Sequence, residues 1–164
     1  MNPKETFKMV ETVLVIDWPT KDVPESLTMA GFHVVVRGGP GPEDYLVYAW
    51  NNGKIVTRHL GRAPDRADLI FSHRPFSELV EIIATAKELH AKIIWTQSGV
   101  SATGVDDPKG CWIPEKELQS ARDLVESSGL NYNTEPYIGD FAREIRESRR
   151  LTSNDLVASA DPHR

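Results

Sequence analysis

Short runs of apolar, mostly β-branched residues recur along this chain and alternate with segments of helical periodicity. Residues 12–17 and 33–37 are continuous apolar runs, which is the pattern of a parallel strand buried on both faces. Residues 67–72 and 92–96 repeat this pattern, and residues 130–134 form a weaker run near the end. The pattern therefore predicts a sheet built largely from parallel strands.

The segments between these runs carry helix signals. Pro24 suits the first turn of a helix that ends near Ala30, and Gly31 is a common residue just after a helix end. Apolar residues at helical spacing mark the segment after the third parallel run. The predicted helices span residues 24–30, 75–90, 115–128 and 141–150, and residues 151–164 are predicted to be a polar, flexible tail.

Two segments interrupt the alternation. Residues 45–50 and 54–59 are strand-like runs separated by a segment that contains Asn52-Gly53, and both of these residues tolerate a positive φ. This predicts a β-hairpin, as an insertion or an antiparallel edge of the sheet. Residues 101–114, rich in Gly, Pro and Asp, predict a loop long enough to be a lid or an insertion.

Strands that alternate with helices are joined by right-handed crossovers, so the predicted fold is a single Rossmann-like, doubly wound α/β domain over residues 1–150 with an inserted hairpin. Ligands of such folds bind beyond the carboxyl ends of the strands, near the point where the strand order reverses. That rule selects the loops at residues 17–21, 37–41, 72–75 and 96–101.

Composition narrows the class of protein. The chain has 164 residues, enough for one core, and its formal net charge of -5 argues against non-specific nucleic-acid binding. Cys111 is the single cysteine, so no disulfide forms within the chain, and a cysteine-based zinc cluster is disfavoured. No signal peptide and no membrane-spanning apolar stretch are recognisable. We therefore expect a soluble, cytoplasmic protein without a metal site.

Two segments resemble the small CoA-binding proteins, which share a fold with the CoA-binding domain of succinyl-CoA synthetase. Residues 93–100, IIWTQSGV, look like the family's strand and loop of the type V-W-x-Q-x-G-V. Residues 67–75, ADLIFSHRP, look like the stretch V-D-x-V-x-x-F-R-x-P, and Gly61-Arg62 is similar to a Gly-Arg found upstream in many members. The resemblance implies binding of coenzyme A or an acyl-CoA without catalysis.

The chain departs from this family in its first loop. The family has Gly-Ala-Ser there, which lets backbone N–H groups approach the CoA pyrophosphate, whereas this chain has Asp17-Trp18-Pro19. Proline has no N–H to donate, and aspartate adds negative charge. The family's Asn-Pro after the second strand is replaced by a segment that begins with Arg37-Gly38.

Within the first loop, each residue has two interpretations. Asp17 is either a hydrogen-bond acceptor for a ligand or a turn residue, and Trp18 either stacks on an adenine ring or packs against the following helix. Under the CoA hypothesis the phosphates lie over Trp18, Pro19, Thr20 and Lys21, at the amino end of the first helix.

The other candidate residues follow the later strands. Arg37 is either a ligand for the 3′-phosphate of CoA or a solvated side chain, and Gly38 lets a ligand lie close or simply forms a turn. The pantetheine arm is predicted to pass the remaining candidates, among which His73 is also considered as a general base. These candidates are Ser72, His73, Arg74, Gln97, Ser98 and Gly99.

Three functions remain open at this point. The first is non-catalytic binding of CoA or an acyl-CoA, with no catalytic residue. The second is a degenerate nucleotide-binding fold that acts in protein–protein interaction or regulation, in its simplest form a homodimer through the edge of the hairpin. The third is an NAD(P) enzyme, which the absence of G-x-G-x-x-G after the first strand disfavours.

Overall fold

The computed structural model of this chain describes residues 3–38, 44–97 and 113–160, with side chains for those between 5 and 149. Its strands are β1 Thr12–Ile16, β2 His33–Arg37, β3 Tyr45–Asn51, β4 Lys54–His59, β5 Leu69–Ser72, β6 Ile93–Thr96 and β7 Asn131–Asn133. They form one sheet in the order β4-β3-β2-β1-β5-β6-β7. Neighbouring strands pair in parallel from β2 through β1, β5 and β6 to β7. The β2–β3 and β3–β4 pairs are antiparallel.

Helices cover both faces of the sheet, as a doubly wound fold requires. The helices are α1 Pro3–Phe7, α2 Asp22–Met29, α3 Leu79–Glu88, α4 Leu118–Ser127 and α5 Ile138–Ala160. One core cluster joins alternate residues of the parallel strands, such as Val13 and Trp95, to α1, α2 and α5. The other joins the intervening residues, such as Leu14 and Ile94, to α3 and α4. The Rossmann-like α/β fold predicted from the sequence is confirmed.

The hairpin forms an antiparallel edge of the sheet. Asn52 and Gly53 have φ values of 52° and 78° and connect the pair Asn51 and Lys54, as the Asn-Gly signal predicts. The hairpin lies beyond β2, so it widens the sheet without separating the parallel strands. The carboxyl edge of the parallel strands therefore keeps the arrangement expected of the fold.

Several element bounds differ from the prediction. The second helix begins at Asp22 rather than Pro24, and both α3 and α4 are preceded by a 3₁₀ turn, Phe76–Glu78 and Glu115–Glu117. α5 continues to Ala160, ten residues beyond its predicted end and into the segment predicted to be a flexible tail. The chain has no glycine or proline between Gly139 and Pro162, so nothing in the sequence interrupts the helix there.

α1 is an element that the pattern did not predict. It is too short to show helical periodicity, and it places two side chains, Thr6 and Phe7, in the interior. The Phe7 ring lies edge-on to Phe32, Trp95 and Phe141, with centroid distances of 5.2, 5.5 and 4.9 Å. Such aromatic contacts bind the amino-terminal turn to the α2 and α5 side of the sheet.

Candidate functional site at the carboxyl edge of the sheet

The register of the parallel strands brings the starts of the four predicted loops side by side. Ile16 of β1 is paired with Arg37 of β2 on one side and with Ser72 of β5 on the other, and Ser72 is paired with Thr96 of β6. β2, β3 and β4 are added on one side of β1, and β5, β6 and β7 on the other, so the strand order reverses between β1 and β5. In this fold class that reversal is where a ligand crevice is expected.

Asp17 occupies the first position after β1 in a left-handed conformation, with φ of 57°. Its N–H donates to the carbonyl of Arg37 at 2.8 Å, which extends the β1–β2 ladder by one bond before the chain turns away. Aspartate is one of the few residues besides glycine that adopt this conformation at moderate cost. Asp17 therefore directs the chain from the strand into the first loop.

Arg74 bridges the reversal point. Its Nη1 lies 3.0 Å from Oδ2 of Asp17, and its Nε lies 2.6 Å from Oε2 of Glu78 at the start of α3. All three side chains are about one-third exposed or less. The guanidinium predicted to lie along the pantetheine arm is thus held between two carboxylates, and the three groups together carry a formal charge of −1.

Trp18 fills the space beneath the first loop. Its side chain is 8% exposed and lies edge-on to Phe71 and His73, with ring centroids 5.2 and 5.3 Å away. The ring also lies 6.0 Å from that of Tyr137, which immediately precedes α5. Of the two interpretations of Trp18, the geometry supports packing within the protein.

Asp22, the first residue of α2, accepts hydrogen bonds from Trp18 and from two neighbouring polar side chains. Its Oδ1 accepts a hydrogen bond from Trp18 Nε1 at 2.7 Å and a second from the Thr20 hydroxyl, and its Oδ2 accepts one from the Tyr137 hydroxyl. The backbone N–H of Val23 also donates to this carboxylate. A carboxylate of the protein itself therefore occupies the amino end of α2, where an anionic ligand would otherwise bind.

These contacts shift two pKa values. Partial burial raises the pKa of Asp22, but the hydrogen bonds from Thr20, Tyr137, Trp18 and Val23 outweigh it, so the net pKa lies below its usual value of 3.8. Burial, together with the hydrogen bond to Asp22 and its negative charge, raises the pKa of Tyr137 far above its usual range. Asp22 remains an acceptor and Tyr137 a donor at neutral pH.

The rest of the first loop is exposed. Pro19 and Thr20 lie in the turn between β1 and α2, and Lys21 is the residue immediately before α2. The Thr20 hydroxyl is committed to Asp22. Among the described residues, Lys21 has no ion-pair partner, so it is the one loop residue with a free charge.

Arg37 and Gly38 lie beside Asp17 at the end of β2. Arg37 is half-buried, and within residues 3–38, 44–97 and 113–160 its guanidinium has no hydrogen bond or ion pair. A Cβ added to Gly38 would lie 3.9 Å from Oδ1 of Asp17, which is an ordinary van der Waals contact. The space at this position would therefore accept a small side chain. Arg37 is thus a charged group at the carboxyl edge, one strand away from the reversal point, and its guanidinium has no ion pair or hydrogen bond among the described residues.

Ser72 and His73 lie on the other side of β1. Both are buried, and the N–H of His73 donates to the carbonyl of Ile16 at 2.9 Å, which continues the β1–β5 ladder. The His73 ring contacts Trp18 rather than facing an open cleft. The geometry gives His73 a packing role and supplies no support for its use as a general base.

Three polar atoms at the carboxyl ends of β6 and β7 are buried without a partner. They are Nε1 of Trp95, Oε1 of Gln97 and Nδ2 of Asn133, none of which has a hydrogen bond in the part of the chain that the structure describes. Trp95 and Asn133 are paired in register, so their side chains lie on the same face of the sheet. On neighbouring positions, Thr96 Oγ1 and the hydroxyl of Tyr132 are hydrogen-bonded at 2.6 Å.

Some predicted residues lie outside the described segments. These are Ser98, Gly99, most of the predicted loop at residues 101–114, and Cys111. Gln97 is described, and it is the last described residue after β6.

Sequence analysis missed three residues that define this site, namely Asp22, Glu78 and Tyr137. Asp22 and Trp18 are four residues apart, and an aspartate that opens a helix is a common anion at a helix terminus, so that signal was present in the sequence. The contact of Tyr137 with Asp22 spans 115 residues, and no local pattern reports it.

The described residues contain neither a candidate metal cluster nor a candidate membrane-spanning helix. No group of three or more His, Cys, Asp or Glu side chains there is arranged to hold a metal ion. No helix in those segments combines the length and apolarity needed to cross a bilayer.

Comparison with known proteins supports the fold alone. No protein-family model and no curated protein matches the chain. The fold is similar to the solved structure of a Thermus thermophilus protein described as cell-free ID.343, with a TM-score of 0.53 and 17% sequence identity. The match covers 88% of this chain and 99% of the Thermus protein, so the shared architecture extends over nearly the whole domain.

Proposed function

We propose that this chain is a Rossmann-like module that acts through contact with another protein, with its nucleotide-phosphate position closed from within. The observation that carries the proposal is the Asp22 carboxylate at the amino end of α2, held by Trp18, Thr20 and Tyr137. A Rossmann-like fold whose own carboxylate occupies the phosphate position keeps its architecture but cannot bind a nucleotide phosphate there.

Electrostatics supports the proposal. A pyrophosphate near the first loop needs backbone N–H donors and positive charge. The loop offers Pro19, which has no N–H, and the α2 terminus is already neutralised by Asp22. Arg74 is shared between two carboxylates, which leaves this side of the crevice with net negative charge. A phosphate would have to displace these contacts before binding.

Binding of CoA or an acyl-CoA is the second candidate, and two observations favour it. Arg37 lies at the predicted adenosine end with no partner among the described residues. The unpartnered polar atoms of Trp95, Gln97 and Asn133 lie at the edge along which the pantetheine arm was predicted to pass, and that arm carries amide and hydroxyl groups. In this alternative, CoA binds in a pose that avoids the α2 terminus.

Calorimetric titration with CoA, with NADP as the control nucleotide, separates the two candidates. We expect no saturable heat up to about millimolar CoA, which corresponds to binding weaker than about 4 kcal/mol. Micromolar binding that Arg37→Ala weakens about tenfold would overturn the proposal in favour of CoA.

A variant of the first loop tests whether that loop is what prevents CoA from binding. Asp17→Gly, Trp18→Ala and Pro19→Ser together replace the loop with the Gly-Ala-Ser of the CoA-binding family. If the loop is what closes the position, the triple variant gains CoA affinity relative to the wild type. Trp50→Ala, which removes an exposed tryptophan far from the loop, is the matched control and gains none.

A further inference from the structure

We propose that the outer edge of β4 binds an extended, acidic segment of a partner protein, which adds to the sheet as an antiparallel or parallel strand. This proposal rests on the proposed function, because it names the class of partner. Two observations support it, namely the exposed outer edge of β4 and the positive charge of the β3–β4 hairpin. Neither is part of the candidate site at the carboxyl ends of the parallel strands.

The two edges of the sheet differ in whether they are available. β7 has three residues, and Nη1 of Arg122 donates to the carbonyl of Tyr132 at 3.1 Å, which caps that strand. β4 has six residues and ends the strand order on the other side, where no described strand pairs with it. An uncapped edge of this length is a template for strand addition.

The backbone groups that point outward can be identified from the register. The N–H of Leu60 donates to the carbonyl of Tyr45 at 2.8 Å, so this is a hydrogen-bonded pair. Hydrogen-bonded and non-hydrogen-bonded pairs alternate along an antiparallel ladder, so the pairs of Arg58, Val56 and Lys54 with β3 are also hydrogen-bonded. The outward N–H and C=O groups therefore belong to Ile55, Thr57 and His59.

The two faces of β4 favour different side chains of a partner. Lys54, Val56 and Arg58 lie on one face, where the two cations flank an exposed valine, and Arg58 has no ion pair among the described residues. Arg58 also lines a cavity of about 270 Å³ with Arg62 and Arg66, which lie 3.4 and 3.5 Å from the carboxylates of Asp65 and Asp68, so among the described lining arginines Arg58 is the one without an ion pair. On the other face, Ile55 is paired with Trp50, which is 54% exposed. A strand that alternates acidic and apolar residues matches both faces.

Charge disfavours a second copy of this chain as the occupant. β4 contains Lys54, Arg58 and His59 and no acidic residue, so pairing two copies edge to edge brings like charges together. The basic surface is local, because the whole chain carries a net charge of -5. An acidic partner strand satisfies the same edge with opposite charges.

The test uses two synthetic peptides of equal length, one alternating Glu and Val and the other alternating Lys and Val. We expect the acidic peptide to slow amide hydrogen exchange at Ile55, Thr57 and His59 in the full chain, while the basic peptide does not. Charge reversal with Lys54→Glu and Arg58→Glu should weaken the acidic peptide about tenfold or more and allow the basic one to bind.

A backbone variant separates strand addition from simple charge attraction. Thr57→Pro removes an outward N–H that the hairpin does not use, so it should abolish protection by the acidic peptide while β3–β4 amides remain protected. Thr57→Ala retains the N–H and should bind normally.

Three outcomes would overturn the inference. They are no protection of the outward amides by the acidic peptide, equal binding of both peptides, or a dimer in solution that Thr57→Pro converts to a monomer. None of them depends on CoA, so a failure here is distinguishable from failure of the proposed function, which is detected by CoA titration.

Discussion

Trp18 Nε1 donates to Oδ1 of Asp22 at 2.7 Å, and this hydrogen bond ties the first loop to the helix that follows it. The bond has two consequences. It fixes the tryptophan ring against Phe71 and His73, and it places a carboxylate at the amino end of α2. The first loop is therefore part of the core packing, and a change in it affects folding as well as any ligand.

Trp18→Ala should lower the free energy of unfolding by about 3 kcal/mol, because it removes a nearly fully buried aromatic side chain and leaves a cavity. Trp18→Phe keeps most of the packing but loses the bond to Asp22, so about 1–2 kcal/mol is expected. Urea denaturation measures both.

The matched control for this prediction is Trp50→Ala, since Trp50 is more than half exposed. Its cost should stay below about 1 kcal/mol. Equal costs for the two alanine variants would contradict the packing role of Trp18.

The stability that Asp22 contributes should depend on pH. Its pKa in the folded state lies below the usual value of 3.8, so its contribution is fully present above that value and is lost as the pH falls through the lowered folded pKa. Because the Asp22 side chain is largely exposed and solvent screens its interactions, Asp22→Asn should cost about 0.5–1 kcal/mol at pH 7, and the difference from wild type should shrink below about pH 4. Urea unfolding at pH 7, 5, 4 and 3 measures this.

Asp65→Asn is the control for the pH series. Asp65 pairs with Arg62 on an exposed surface at 3.4 Å, so its removal should cost less than about 0.5 kcal/mol at every pH. A cost of Asp22→Asn that does not change between pH 7 and pH 3 would show that the charge of Asp22 is not what stabilises the loop.

The frame of this fold could be predicted because it depends on local pattern. The buried β-branched runs at β1, β2, β5 and β6 report strands, and Asn52-Gly53 reports the hairpin turn, with both φ values positive. The grouping of the candidate residues also follows, because strand order and parallel register place Asp17, Arg37 and Ser72 at one edge. The burial of a strand and the geometry of a tight turn each depend on a few consecutive residues, so a local pattern is enough to predict them.

The character of the site could not be predicted in the same way. Asp17 and Arg74 are 57 residues apart, and Tyr137 and Asp22 are 115 apart, so the charge balance of the crevice is set by contacts across the sheet. Arg74 and Trp18 each had a ligand interpretation that was reasonable from their position in the sequence. Their contacts within the protein appear only once β1, β5 and α5 are packed together.

The Asp17–Arg74 ion pair should be energetically coupled but weakly so. A double-mutant cycle of Asp17→Asn and Arg74→Ala, measured by urea unfolding, should give a coupling energy of about 0.5–1 kcal/mol, because both side chains are roughly one-third exposed. Raising the salt concentration from about 0.05 to 1 M should reduce it, since exposed pairs are screened. Replacing Glu78 with Gln should leave Arg74 more strongly coupled to Asp17, because the guanidinium then has one carboxylate partner instead of two. A coupling energy indistinguishable from zero in low salt would contradict the stabilising role of this ion pair, and Glu78 would remain as the carboxylate that holds Arg74.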